Sequence, residues 1–280
     1  MNLNLDAVDV LFMHYITDRT ADEVYKYDFW QLQYGRQPAH LVQHLLDEAV
    51  IYEDDSLPVT LGKLRVFELK YILKESGHKI SGNKPELIKR ILQYATEIDF
   101  SYVPLKNVYK LAEDWSNFYN QTQFLNYFHF NGNFDLHEVY DFYLDNDDLD
   151  HHQIAIEFLE EKARNHIGDE NKYITVKSYY LLSNYARDEM NNLPLSMHYL
   201  NHFTMLVVLQ AMDSNRAAGR DDFDIDAYTK DRYRAFMNSE KMDSDDLSQY
   251  LVDSTKGLPY SDEALRTTSK FIIKLINKRA

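Results

Sequence analysis

LRVFELKYILKESGHKISGNKPELIKRI, residues 64–91, consists of two short amphipathic segments separated by a Gly-containing loop. Apolar residues recur at three- and four-residue spacing in both segments, which puts them on one face of each helix. These residues are Val66, Leu69, Ile72 and Leu73 in the first segment and Leu87, Ile88, Ile91 and Leu92 in the second. The pattern therefore predicts a helix, an extended loop and a second helix.

Helix-ending and helix-starting residues support this division. Gly77 follows the last apolar turn, where a glycine can adopt the left-handed conformation that closes a helix. Asn83 is a predicted N-cap, and Pro85 falls in the first turn of the second helix, where no N–H is missed. Within the loop, Ile80 is expected to be an apolar contact to the helices, and Gly82 permits a close backbone approach.

The charge of this region differs from that of the rest of the chain. Residues 57–95 contain eight Lys or Arg and three Glu, a net charge of +5, whereas the remaining residues carry a net −20. Lys79 and Lys84 flank the predicted start of the second helix, where unpaired N–H groups and the helix dipole favour an anion. Segregation of this size indicates a polyanionic partner for the basic region and predicts a phosphate site there.

Residues 64–91 resemble the SAP domain, a DNA-binding module of two helices and an extended loop that occurs in chromatin, repair and phage-related proteins. The matching residues are Leu64-Arg65-Val66-Phe67-Glu68-Leu69-Lys70, Gly77, Ser81-Gly82-Asn83-Lys84 and Glu86-Leu87-Ile88-Lys89-Arg90. The resemblance extends over about residues 60–95, a small part of the 280-residue chain.

The resemblance implies that the start of the first helix, the loop and the start of the second helix face duplex DNA. The DNA-binding residues that it implies are Arg65, Lys79, Gly82, Lys84, Lys89 and Arg90. Arg65 departs from the family, which often has a capping Ser or Thr there. Since an Arg side chain accepts no N–H bond, we expect this helix start to fray or to be capped from Thr60 or by solvent.

With 45% apolar residues, 8 Gly, 6 Pro and no long Val/Ile/Thr alternation, the sequence indicates an all-α protein. We divide it into an N-terminal helical region (1–56), a SAP-like module (57–97) and an acidic helical domain (98–280) that forms a bundle or hairpin array. The helices predicted outside the module are Leu5–Ile16, Ala21–Tyr34, Pro38–Tyr52, Leu105–Tyr119, Leu136–Leu144, His151–His166, Tyr173–Met190, Leu195–Met212, Ile225–Phe236, Ser244–Val252 and Ser261–Asn277.

Several classes of site find no support in the sequence. There are no cysteines, so disulfides and thiolate metal sites are excluded, and a reducing cytoplasm is the expected location. Neither a signal peptide nor a membrane-spanning run is present. The nucleotide-binding P-loop, dinucleotide-binding and nucleophile-elbow motifs are also missing, so we predict no cofactor and no catalytic residue.

The acidic and histidine residues of the sequence do not form a recognisable metal site. Residues 146–157 resemble a calcium loop only in spacing, because His151 stands where the sharp turn requires Gly. The pairs His40/His44 and His198/His202 each offer two ligands from one helix face, which is too few for a site. We therefore predict no metal.

Three functional hypotheses follow. The first is a bacterial or phage DNA-binding adaptor whose module makes weak contacts with A·T-rich or sequence-tolerant duplex DNA. Its acidic helical region would bind a protein partner or self-associate. The second is a protein-interaction protein whose module does not bind DNA. The third is a nucleic-acid-processing enzyme with a site that the sequence does not reveal.

Overall fold

A computed structural model describes residues 4–26, 28–131, 134–170, 172–218 and 223–278. Within these ranges the chain forms sixteen α-helices, one 3₁₀ helix and two short strands, which confirms the all-α class. It folds as two compact units, Met1–His151 and His152–Ala280. The predicted boundaries after residues 56 and 97 both lie inside the first unit.

The first unit contains ten helices in its described residues together with the strands. Its elements, in chain order, are α1 Ala7–Ile16, α2 Ala21–Val24, α3 Phe29–Tyr34, α4 Pro38–Asp47, β1 Ile51–Asp54, α5 Leu57–Lys63, α6 Val66–Glu75, α7 Lys84–Gln93, β2 Val108–Leu111, a 3₁₀ helix Glu113–Trp115, α8 Ser116–Gln121, α9 Phe124–Asn131 and α10 Leu136–Asp145.

Helix α1 lies at the centre of the first unit, where it packs against α4, α9 and α10. Eight of its ten residues are buried, since apolar residues occupy all its faces. Asp9 is the buried charge among them, and its carboxylate pairs with Arg36 at 2.8 Å. Asp6 caps the helix by accepting the N–H groups of Val8 and Asp9.

Two four-residue strands join distant parts of the first unit. Strand β1 pairs antiparallel with β2, in a register that places Ile51 opposite Leu111 and Asp54 opposite Val108. Residues 55–107, which include the whole basic module, thus begin and end at paired residues, because Asp54 lies opposite Val108. The sheet anchors both ends of the module.

The second unit is a helical bundle. Its helices are α11 His151–His166, which begins one residue before the unit boundary, α12 Tyr173–Asp188, α13 Leu193–Ala218, α14 Ala227–Glu240, α15 Ser244–Thr255 and α16 Asp262–Asn277. Helices α12 and α13 pack antiparallel, because Ser183 contacts Ser196 beside the connection and Tyr179 contacts His202 farther from it. Among the described helices, each is too short or too polar to span a bilayer.

Three predicted helices differ from the observed elements. The predicted Ala21–Tyr34 is divided into α2 and α3 by turns, with Tyr27 outside the described residues. The predicted Pro38–Tyr52 ends at Asp47, and its last residues enter β1. The predicted Leu105–Tyr119 is wrong over most of its length, because β2 and the 3₁₀ helix replace its first two-thirds.

Candidate nucleic-acid interface

The SAP-like module has its own apolar core. Helices α5 and α6 both pack against α7. Buried residues from the three helices and the following segment form the core: Leu61, Leu64, Leu69, Ile72, Leu73, Leu87, Ile91 and Ile98. The predicted helix–loop–helix and its apolar faces are confirmed for five of these residues, while α5 was not predicted. Val66 and Ile80, which were assigned to the interior, are instead exposed.

The loop between α6 and α7 is held at both ends. Gly77 has φ +73°, as predicted, and the His78 N–H donates to the Leu73 carbonyl at 2.7 Å. The His78 ring stacks on Tyr94 with centroids 4.0 Å apart. The Arg90 guanidinium donates to the carbonyl oxygens of Lys79 at 2.6 Å and Ser81 at 2.8 Å. Arg90 thus fixes the loop from the side of α7.

The start of α7 differs from the predicted phosphate site. Asn83 caps the helix, as expected, by accepting the Glu86 N–H at 3.1 Å. The Glu86 carboxylate in turn accepts the Asn83 N–H at 2.9 Å, so a capping box satisfies these donors. A Cβ added to Gly82, which has φ +131°, would lie 2.6 Å from the same carboxylate. The capping box thus satisfies two of the N–H donors on which the predicted phosphate site depends and places a carboxylate beside them.

The start of α6 is capped in a way that was not predicted. Glu68 accepts the Arg65 backbone N–H at 2.6 Å, so the first turn is fixed without a Ser or Thr side chain. Thr60 is not involved in this cap, since its hydroxyl donates to the Leu57 carbonyl at 3.2 Å. The Lys84 ammonium donates to the Gly62 carbonyl at 2.6 Å and links the start of α7 to the end of α5.

The six predicted DNA-binding residues thus fall into two groups. Arg65, Lys79 and Lys89 have exposed side chains, and Gly82 exposes its backbone. Lys84 and Arg90 are half-buried and bind backbone carbonyls of the module. The structure brings Lys79, Gly82 and Arg90 together at the loop, whereas Arg65 lies at the start of α6.

Acidic residues of the first unit approach one side of the module. Lys63 pairs with Glu23 at 3.2 Å, and Lys106 pairs with Asp22 at 2.6 Å. The hydrogen bond from Lys106 holds the pKa of the Asp22 carboxyl below its usual range. These four residues and Arg65 line one cavity of about 440 Å³, whose lining carries charges of both signs. The positive potential around Arg65 is consequently reduced.

Two exposed aromatic residues form a surface that the sequence analysis did not identify. Phe67 and Tyr71 lie four residues apart on the outer face of α6 and are 63% and 54% exposed. The Tyr71 ring contacts that of Tyr102 edge-on, with centroids 6.0 Å apart. The signal was present in the sequence, because positions 67 and 71 fall opposite the apolar face of Leu69 and Leu73.

The histidine pairs have structural contacts. The His202 Nδ1 lies 2.9 Å from the His198 carbonyl oxygen, and burial lowers the pKa of His202 to about 4. The His44 Nε2 lies 2.9 Å from the carbonyl oxygen of Asn4. Over the part of the chain that the structure describes, no three His, Asp or Glu side chains are grouped so as to hold a metal ion.

Comparison of the chain with protein-family models, curated proteins and solved structures finds no match. The residues of the module are therefore the basis for a functional proposal.

Proposed function

We propose that this protein is a DNA-binding adaptor whose module, residues 57–97, contacts the phosphate backbone of duplex DNA. The observation that carries the proposal is the pair of exposed cations, Lys79 and Lys89, beside a loop whose shape Arg90 fixes. A preformed loop loses little conformational entropy on binding, so less of the energy of its charge contacts is spent on ordering the loop.

The contacts supported best are those of Lys79 and Lys89, with Arg65 as a third at the start of α6. Lys84 and Arg90 contribute charge but act mainly by positioning, because their donors bind carbonyls of Gly62, Lys79 and Ser81. The Gly82 backbone lies close enough to the surface for a sugar or phosphate to approach. So few contacts predict weak binding that tolerates sequence, with a shape preference for A·T-rich tracts.

The acidic remainder of the chain opposes DNA and favours a protein partner. With a net charge of −20 outside residues 57–95, it restricts DNA contact to the module. We place such an adaptor in the cytoplasm of a bacterium, as a cellular or a phage protein.

Fluorescence anisotropy of the full-length protein with a labelled A·T-rich duplex, over a series of salt concentrations, tests the proposal. Three phosphate contacts predict a slope of log affinity against log salt of about −2.7. Lys79→Gln/Lys89→Gln should bring the slope to about −0.9. Arg266→Gln/Lys270→Gln, on exposed positions of α16, removes the same charge and should leave the slope unchanged.

Equal effects of the two double variants would contradict the proposed surface, because they would indicate a response to net charge alone. Absence of binding even at low salt would reject DNA contact altogether.

The exposed rings of Phe67 and Tyr71 favour a second candidate function, which is self-association through the outer face of α6. Lys70 and Lys74 flank these rings, and the acidic surface of another copy has the complementary charge. Sedimentation velocity of the wild type and of Phe67→Ser/Tyr71→Ser distinguishes it. Self-association that the variant abolishes supports this function, and a monomer at all concentrations rejects it.

A further inference from the structure

The first unit contains an aromatic cavity that is separate from the SAP-like module. It has a volume of about 630 Å³, within the range of roughly 300–1,000 Å³ that small-molecule sites occupy. Residues from α1, α3 and α9 line it together with Arg19. Its aromatic walls are His14, Tyr15, Phe29, Trp30, His129 and Phe130.

The walls of this cavity are fixed by contacts among themselves. Phe29 meets Trp30 and His129 edge-on, with centroids 5.6 and 5.4 Å apart. The Tyr34 hydroxyl and the His129 Nδ1 are 2.7 Å apart, which orients the His129 ring. These contacts hold Phe29, Trp30 and His129 around an open volume.

Phe130 gives the cavity an unusual rim. Its side chain is 80% exposed, although it lines the cavity together with buried Trp30. A large exposed aromatic ring at the edge of a concave apolar surface is typical of a site that an apolar ligand covers.

Arg19 contributes a positively charged side chain to the lining of the cavity. Its Nε–H donates to the Tyr15 carbonyl at 2.6 Å, and its guanidinium carbon lies 4.4 Å from the centre of the Tyr15 ring. This arrangement leaves the terminal amino groups for another acceptor. The neighbouring carboxylate, Asp18, forms an ion pair with Lys110. Among the described residues that line the cavity, Asn126 adds a carboxamide and none is acidic.

The positive charge of Arg19 distinguishes this cavity from the aromatic cages that bind cations. Such cages attract an ammonium group to the faces of their rings. Here the guanidinium of Arg19 already covers one ring face and would repel a second cation. An acid group on a ligand would instead form charge-assisted hydrogen bonds with Arg19.

From this geometry we infer that the cavity binds a flat aromatic molecule that carries a carboxylate or a similar acid group. The ring system lies against Phe29, Trp30 and Phe130, and the acid group lies on Arg19. The inference is independent of DNA binding, since it uses no residue of the module.

The test uses the two tryptophans of the chain, Trp30 and Trp115. Full-length protein labelled with 5-fluorotryptophan gives two ¹⁹F resonances, and Trp115→Phe assigns them. The labelled protein is titrated with three probes of one shape, which are naphthalene-2-carboxylate, naphthalene-2-methanol and naphthalen-2-ylmethylamine. We expect the carboxylate to shift the Trp30 resonance at the lowest concentration and the amine to bind most weakly.

Two variants locate the ligand. Arg19→Gln should weaken binding of the carboxylate by about tenfold and leave the alcohol unchanged. Phe130→Ser, at an exposed position, should weaken all three probes. Arg266→Gln, on α16, removes one positive charge elsewhere and should have no effect.

Three results would overturn the inference. They are equal shifts of both tryptophan resonances, an affinity for the amine that equals that for the carboxylate, and no shift of the Trp30 resonance with any probe at millimolar concentration.

Discussion

Replacing Arg90 with Gln should open the loop of the SAP-like module without unfolding the module itself. One terminal amino group of Arg90 donates to both the Lys79 and Ser81 carbonyls, at 2.6 and 2.8 Å. A hydrogen bond from a charged donor contributes about 1.5–3 kcal/mol in a buried setting. Because Arg90 is half-exposed and one amino group serves both acceptors, we expect a total of only about 1–2 kcal/mol.

A loss of this size raises the population of the opened loop by about tenfold. Hydrogen exchange of the loop amides, residues 79–83, in the full-length protein measures that population directly. Amides of α6 and α7 should exchange as in the wild type, because the core around Leu69, Leu73 and Leu87 is untouched.

Lys89→Gln is the matched control. It lies next to Arg90 in α7, removes the same charge and has an exposed side chain. It should leave exchange of the loop unchanged but reduce the salt dependence of DNA binding by about one phosphate. Arg90→Gln should lower DNA affinity with little change in that slope. If Arg90→Gln leaves loop exchange as it is, or Lys89→Gln accelerates it equally, the assigned roles are wrong.

Three further predictions concern stability. Leu87→Ala should destabilise the module by about 2–5 kcal/mol, because its side chain is fully buried, whereas Ile80→Ala at an exposed position should change the urea midpoint little. Arg36→Gln should cost about 2 kcal/mol in urea denaturation, since the buried Asp9 carboxylate loses its Arg36 partner and keeps only the Asp6 N–H and His44 nearby, and a change below about 1 kcal/mol would contradict that pairing. Burial lowers the pKa of His14 to about 4. Between pH 6.5 and 4 the unfolded chain therefore binds a proton that the folded protein does not. The free energy of unfolding should fall by up to about 3 kcal/mol as the pH drops through this range. Tryptophan fluorescence reports this first-unit transition, and His14→Gln should show a weaker pH dependence than the wild type.

Local patterns in the sequence were sufficient for most helices. The apolar spacing of Leu69, Ile72 and Leu73 and the caps at Gly77 and Asn83 depend on neighbours within one or two turns. Helices α6 and α7 were predicted for that reason. The strands Ile51–Asp54 and Val108–Leu111 were missed, because each is four residues long and exists only through a partner more than fifty residues away.

The candidate residues belong to one helix–loop–helix module, as the sequence indicates, but the sequence does not give the roles of their side chains. A Lys or Arg near a helix start can bind a phosphate or a carbonyl, and the sequence does not distinguish these for Lys84 and Arg90. Nor does the sequence show whether Glu86 faces solvent or caps its own helix, as it does by accepting the Asn83 N–H. The apolar side chain of Ile80 alone suggests a buried position between the helices. The extended loop that Arg90 fixes leaves this side chain at the surface instead.

The distribution of ion pairs indicates which edge of the module would face DNA. On the side of α5 and β2, Lys63 and Lys106 are paired with Glu23 and Asp22, so their charge is largely compensated. On the side of the loop and α7, Lys79 and Lys89 are exposed, and the positive charge of Arg90 is not compensated by the carbonyls that it binds. A duplex approaching the first side would meet Asp22 and Glu23 of α2. The loop side is therefore the favourable approach. A weak contact there would gain affinity when a protein partner of the acidic helices is itself bound to DNA, because the module is then held near the duplex at a high effective concentration.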